Sequence, residues 1–241
     1  MTSQNSSYLR IVNDIIEFNK NKIEDIYISF DKKLICSVNK LYAMIIGPSK
    51  TPYYGGYFFF EITFPSNYPL SSPSVKFLTT DGDVRFNPNL YANGKVCLSI
   101  LGTWAGPKWE PVMTLSSVLL SIQSLMGENP LRNEPGYENI EHDNIKALQY
   151  TQYVQYNTYM VGIINVLNNK MMFNLLELFN KEILENLNKN YENLKNDLMS
   201  YAEILNIVPI IDCGYSIKQK NLDFTKLLTD FSSTTEKYIN I

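Results

Sequence analysis

The alternation of apolar and polar positions divides the chain into segments of different period. From Ser7 to Asn19, Tyr8, Ile11, Val12, Ile15 and Phe18 recur at helical spacing, with Ser3 or Ser6 placed to cap this first helix. Residues 26–31 and 34–46 are rich in Ile, Val and Tyr and are parted by Asp31-Lys32-Lys33, which predicts a hairpin. Gly47-Pro48 breaks the chain and Tyr54-Gly55-Gly56 opens a third strand. There Phe58, Phe60, Ile62 and Phe64 share one face, while Glu61 and Thr63 take the other. A turn-rich stretch from Pro65 to Pro73 leads to a short fourth strand, Ser74 to Leu78.

Residues 79–112 have no long period and concentrate Asn, Gly, Pro and both tryptophans, Trp104 and Trp109, which read as loop anchors. A loop of this length inside a compact domain is usually functional. Regular structure resumes at Thr114, a good N-cap, followed by a helix with Leu115, Val118, Leu119, Ile122, Leu125 and Met126 on a broad apolar face. After the irregular Asn129–Gly136, a helix is expected from about Tyr137 to Asn168. The composition then shifts to Asn, Lys, Leu and Tyr. Apolar residues at 187, 191, 194, 198, 201 and 205 mark one face of a further helix, expected to pack back on its own domain. Pro209 ends it, and the remaining residues carry no clear assignment.

Bulk properties narrow the classes. A net charge of -3 with no basic stripe gives no reason to expect nucleic acid. No apolar run is long enough to span a bilayer and the N-terminus lacks a signal-peptide pattern, so a chain acting in the cytoplasm or nucleus is expected, with no membrane partner. The 3 cysteines, Cys36, Cys97 and Cys213, are far apart and odd in number, which favours reduced thiols over a disulfide framework. Cys36 sits in a strand pattern and reads as buried and inert; nothing near Cys213 suggests activation. With 1 histidine, His142, no His/Cys zinc cluster can form, and no metal site is expected. No glycine-rich phosphate loop is present, which excludes the common nucleotide-binding motifs.

The most informative stretch runs from Tyr54 to Tyr137. It holds Y-G-G at 54–56, F-x-x-x-Y-P-x-x-x-P at 64–73, N-P-N at 87–89, G-K-V-C-L-S-I-L at 94–101 and W-E-P at 109–111. In that order and spacing these motifs resemble the ubiquitin-conjugating enzyme family, over roughly the first 150 residues. The residues inserted between Cys97 and Trp109, with E-N-P-L-R-N-E-P-G-Y at 128–137, are most similar to the long Z-type enzymes and to the conjugating domain of the giant inhibitor-of-apoptosis ubiquitin ligase. The resemblance implies an α+β fold: an N-terminal helix, a four-stranded antiparallel sheet, an active-cysteine loop and C-terminal helices. The expected division is a conjugating core over 1–168 and a helical extension over 169–241.

The family carries ubiquitin or a ubiquitin-like protein as a thioester, received from an activating enzyme and passed to a lysine or a ligase. The resemblance makes Cys97 the acceptor, and the loop around it reads as open to solvent. An ordinary thiol, with a pKa of about 8.5, is a few per cent thiolate at neutral pH, enough for thioester exchange without a dedicated base. Asn89 matches the asparagine credited with stabilising the oxyanion; holding the loop through its backbone is the other reading, and the two are compatible. Asn87 stands where the family usually has histidine and can donate and accept similarly, so the loop is expected to hold. Ser99 stands where an acidic residue is common; Glu134 is the candidate for orienting the incoming amine, with Asn133 second and a solvated surface carboxylate the plainer reading.

Arg10, Leu70, Pro111 and Val112 match the surface that meets the activating enzyme and ligases, and Leu120 and Ser124 match the helix positions against which the carried ubiquitin folds. Leu70 stands where the family often has an aromatic residue. The resemblance implies no cofactor, since ATP is consumed by the upstream activating enzyme. Two other readings remain: a catalytically weak adaptor that binds ubiquitin or a ligase, and a cysteine peptidase pairing Cys97 with His142, which is expected to face solvent from a helix.

Overall fold

The computed structural model describes residues 3–30, 39–169, 175–205, 207–209, 215 and 221–239. The Asp31-Lys32-Lys33 turn, Cys36 and Cys213 lie outside the described residues.

Helix α1 spans Ser3–Lys20 and buries Ile11 and Phe18. The helix contains both serines expected to cap it, so Ser6 sits inside the first turns and cannot serve as the cap. A meander follows: β1 Ile26–Ser29, β2 Lys40–Ile46, β3 Tyr57–Thr63 and β4 Ser74–Phe77, antiparallel and adjacent in sequence order. The expected hairpin pairing is present, with Ile26 opposite Ile45 and Ser29 opposite Tyr42.

The middle strands are buried on both faces. Phe58 packs edge-on to Tyr53 and Phe86, with ring centroids 5.7 and 5.2 Å away. On the opposite face Phe59 meets Phe179 at 5.7 Å and the Tyr57 hydroxyl donates to the Ile183 carbonyl. That second face is covered by α4 Leu175–Leu178 and α5 Asn180–Ile204. Helix α5 turns Ile183, Leu187, Tyr191, Leu194 and Leu198 inward, so the apolar stripe packs on its own chain as expected.

The contact is close at Gly55. Its φ is +74°, and a β-carbon there would lie 2.6 Å from Leu194 Cδ2, so only glycine fits both the turn and the helix above it.

Helix α2, Leu115–Gln123, starts where the sequence places it: Thr114 accepts from the Ser117 amide, and the Ser117 hydroxyl accepts from the Thr114 amide. The next helix begins later than expected. Residues 137–144 form turns, and α3, Ile145–Asn157, opens at Asn144, whose side chain accepts from the Lys146 amide. It continues as a π-helix over Thr158–Asn165, a widening with no signature in the apolar pattern. The unassigned tail forms a two-stranded sheet, β5 Ile207–Pro209 with β6 Asn221–Asp223, and α6, Phe224–Thr235, capped by Asp223. Phe231 of α6 meets Tyr159 and Tyr191 at 5.5 and 6.1 Å, placing the tail in the same hydrophobic cluster as α1 and the sheet. No helix among the described residues is long and apolar enough to cross a membrane.

Candidate active site

The long irregular segment after β4 is held by backbone bonds to the sheet edge. The Phe77 amide donates to the Gly94 carbonyl at 2.8 Å. Gly94 has φ +90°, and a β-carbon would sit 2.8 Å from Phe77 O, so this first residue of G-K-V-C must be glycine. Bridges between Asn87 and Leu90 and between Leu90 and Val96 then fold the N-P-N turn against the cysteine segment.

Cys97 and Asn89 are bonded to each other twice. The Cys97 amide donates to the Asn89 carbonyl at 2.9 Å, and Asn89 Nδ2 donates to the Cys97 carbonyl at 2.7 Å. Both residues are buried: Cys97 is 0% exposed and Asn89 6%. One expectation is corrected here. The thiol is enclosed instead of open, in a segment whose main chain is fixed on both sides: both main-chain groups of Cys97 are paired and the chain after it is clasped. The Asn89 amide holds the loop, which is one of its two compatible readings; its Oδ1 has no partner among the described residues.

The clasp is Thr103. Its hydroxyl donates to the Val96 carbonyl at 2.7 Å and accepts from the Leu98 amide at 2.9 Å, closing the 3-10 turn Ser99–Leu101 back onto the segment that carries Cys97. Thr103→Val keeps the shape and removes both bonds. That variant should lose about 1–2 kcal/mol of local stability and label Cys97 with a maleimide about tenfold faster, followed by mass spectrometry. An unchanged labelling rate would show that Thr103 does not close the segment.

Asn87 fits the histidine position as expected. Nδ2 donates to the Tyr53 hydroxyl (2.9 Å) and the Leu125 carbonyl (2.8 Å), while Oδ1 accepts from the Asn89 amide (2.9 Å) and from Asn133 Nδ2 (3.3 Å). Burial holds the Tyr53 hydroxyl protonated far above neutral pH, and it donates onward to the Phe86 carbonyl. Asn87→Ala strands several buried partners at once and should lower stability by about 3 kcal/mol in urea unfolding. Asn87→His, which keeps one donor and one acceptor, should cost less; equal losses would mean the site is only filled, not bonded.

Asn133 is spent on this network, with a second bond to the Leu125 carbonyl at 2.9 Å. Glu134 follows it, half-buried, and its Oε2 accepts a hydrogen bond from the Tyr215 hydroxyl at 2.7 Å. Glu134 is therefore not a freely solvated carboxylate. Ser99 is half-buried in the turn after Cys97.

The residues expected at partner surfaces divide. Leu70 and Val112 are 73% and 82% exposed, and Pro111 is exposed. Arg10 is mostly committed inside the protein: Nε pairs with Asp14 at 2.8 Å, and Nη1 and Nη2 donate to the Pro111 and Met113 carbonyls. Asp14, buried, also accepts from the Tyr68 hydroxyl and the Leu115 amide, and Trp109 Nε1 donates to the Pro69 carbonyl at 2.7 Å. Arg10, Asp14 and Trp109 thus stitch α1, the Tyr-Pro turn and the Trp-Glu-Pro loop together, bringing Leu70, Pro111 and Val112 to one end of the molecule. Sequence reading missed Asp14, although its i, i+4 spacing from Arg10 on a helix was visible. Trp109 anchors its loop as expected, but Trp104 is 41% exposed and anchors nothing described. Leu120, 46% exposed, and Ser124 lie on or just after α2 and border a groove of about 660 Å³ with Ile23, Gln123 and Met126. His142 is exposed as expected, though in a turn ahead of α3 and not on a helix.

A helix, a four-stranded antiparallel meander and a cysteine in a bonded loop beside an Asn-Pro-Asn turn are the parts of one known domain. The ubiquitin-conjugating enzyme family model matches residues 10–160, and the chain belongs to that family.

Among its relatives, ubiquitin-conjugating enzyme E2 Z of Xenopus tropicalis is 45% identical over 169 residues, 70% of this chain and 53% of that protein. The human E2 Z is 45% identical over 163 residues, 67% of this chain and 45% of its own length. The human dual E2 ubiquitin-conjugating enzyme/E3 ubiquitin-protein ligase BIRC6 is 54% identical over 101 residues, 39% of this chain and 2% of that protein. The chain spans about half the length of the E2 Z relatives it matches.

Proposed function

We propose that this chain is a ubiquitin-conjugating enzyme that takes ubiquitin or a ubiquitin-like protein from an activating enzyme as a thioester on Cys97 and passes it to a substrate lysine or a ligase. The observation that carries the reading is the reciprocal pair between Cys97 and Asn89, within a domain of this family.

In the first step the Cys97 thiolate attacks the carbonyl carbon of the activating enzyme's thioester. A new C–S bond forms, the old one breaks, and the departing thiolate takes up a proton from solvent. An enclosed sulfur cannot be reached, so charging begins with the opening of residues 98–103 past the Thr103 clasp. In the second step a neutral amine attacks the same carbonyl. The oxygen becomes anionic, the tetrahedral centre collapses with loss of the Cys97 thiolate, and the ammonium proton passes to solvent or to a nearby base. Asn89 Nδ2 has a second hydrogen to offer the oxyanion while the first holds the Cys97 carbonyl. Glu134 orients the amine. Leu70, Pro111 and Val112 meet the activating enzyme and ligases with Arg10 bracing them from behind, and Leu120 and Ser124 border the groove that receives the carried protein. No cofactor is needed at this chain, since the ATP-dependent step lies upstream, and the work is placed in the cytoplasm or nucleus.

The test is a charging assay with ATP, ubiquitin and ubiquitin-like proteins, and several activating enzymes. A reductant-sensitive adduct of one modifier per chain is expected; none with any combination would end the proposal.

A further inference from the structure

Resting on the conjugating activity proposed above, we propose that Tyr215 is a positioning residue for transfer to amines: it holds the carboxylate of Glu134, the residue after Asn133 in the hydrogen-bonded chain that leads to Cys97. Tyr215 comes from the C-terminal tail, 81 residues beyond Glu134, and its hydroxyl donates to Glu134 Oε2 at 2.7 Å. Burial first, then the neighbouring carboxylate, keeps the phenol protonated far above neutral pH, so it is always the donor.

The ring is fixed by its surroundings. The Arg85 guanidinium lies between it and Tyr91, 4.5 Å from the Tyr215 centroid and 3.9 Å from that of Tyr91. Arg85 Nη2 donates to the Pro88 carbonyl at 2.7 Å, within the Asn-Pro-Asn turn itself. The Tyr150 ring lies 5.1 Å from that of Tyr215, and its hydroxyl donates to the Arg85 carbonyl. Tyr215 is therefore anchored to the same turn that positions Asn89.

Glu134 sits on an irregular segment just after the 3-10 turn Pro130–Asn133, where a carboxylate without a partner would sample many directions. Asn133, its neighbour, is bonded to Asn87, which is bonded to Asn89, which is bonded to Cys97. With Oε2 engaged by the phenol, Oε1 is left to receive a hydrogen of the attacking amine. The arrangement fixes one oxygen so that the other is aimed.

The experiment starts from purified thioester and follows single-turnover discharge to free lysine and, separately, to a small thiol such as dithiothreitol. A thiol brings no amine to orient, so the ratio of the two rates isolates the work of Glu134. Tyr215→Phe keeps the ring and removes the bond; it should lower the lysine-to-thiol ratio about tenfold. Glu134→Asp, which withdraws the carboxylate from the phenol's reach, should lower the ratio similarly, and Tyr215→Phe should have no further effect in that background. Equal slowing of both acceptors, an unchanged ratio, or additive effects in the double variant would each overturn the proposal. Failure of the wild-type chain to form any thioester would instead overturn the activity on which it rests. Should Tyr215→Phe fold poorly, Glu134→Asp alone still decides, because an unchanged ratio there leaves Tyr215 nothing to position.

Discussion

Cys97→Ala should form no adduct at all with an activated modifier, the largest effect expected in this protein. In the proposed reaction the sulfur supplies the bond to the modifier. Serine at 97 should be slow to load, and any product should be an oxygen ester that survives thiol reductants, which separates it on a non-reducing gel from the wild-type thioester. An adduct persisting in Cys97→Ala at the wild-type level would move the acceptor elsewhere, with Cys36 and Cys213 the remaining thiols. The enclosure of Cys97 sharpens the expectation. Small-molecule alkylation should be slow, while loading by an activating enzyme should be fast by comparison, because only the latter can drive the 98–103 segment open through its own binding energy.

Asn89→Ala should slow discharge about 100- to 1,000-fold, the range seen when one oxyanion donor is lost. It should act equally on lysine and thiol acceptors, since both pass through the same anionic tetrahedral centre. That equality distinguishes it from Tyr215→Phe and Glu134→Asp. The same substitution strips a buried acceptor, the Cys97 carbonyl, of its partner. A fall in stability of about 1–3 kcal/mol is therefore also expected, read by thermal or urea unfolding. If stability falls and discharge from an isolated thioester does not, Asn89 is only the loop's brace.

Local patterning made most of the frame legible. Period 2 marked the strands, Thr114 marked the start of α2, and the stripe from Leu187 to Leu198 announced a helix that packs home. What escaped depends on partners distant in sequence. Nothing in the G-K-V-C run says that its sulfur is buried, because the segment is held by Thr103 and Asn89, which lie outside the run. The role of Tyr215 was invisible for the same reason: a lone aromatic outside any periodic run gives no sign of its target. Arg10 was read as a surface contact, yet its charge is shared with Asp14 one turn along the same helix. Helix α6 did carry a signal, since Phe224, Leu227 and Phe231 follow a capping aspartate at helical spacing. It went unassigned because the run is short.

Leu194 occupies the volume above Gly55 that any larger residue would need. From there the covalent chain runs two residues back to Tyr53, whose hydroxyl touches Asn87, itself bonded to Asn89. Helix α5 is thereby joined to the cysteine loop by a line of neighbours in contact. A substitution at Leu194 or Gly55 therefore bears on the packing of the turn that leads, through Tyr53, to the cysteine loop.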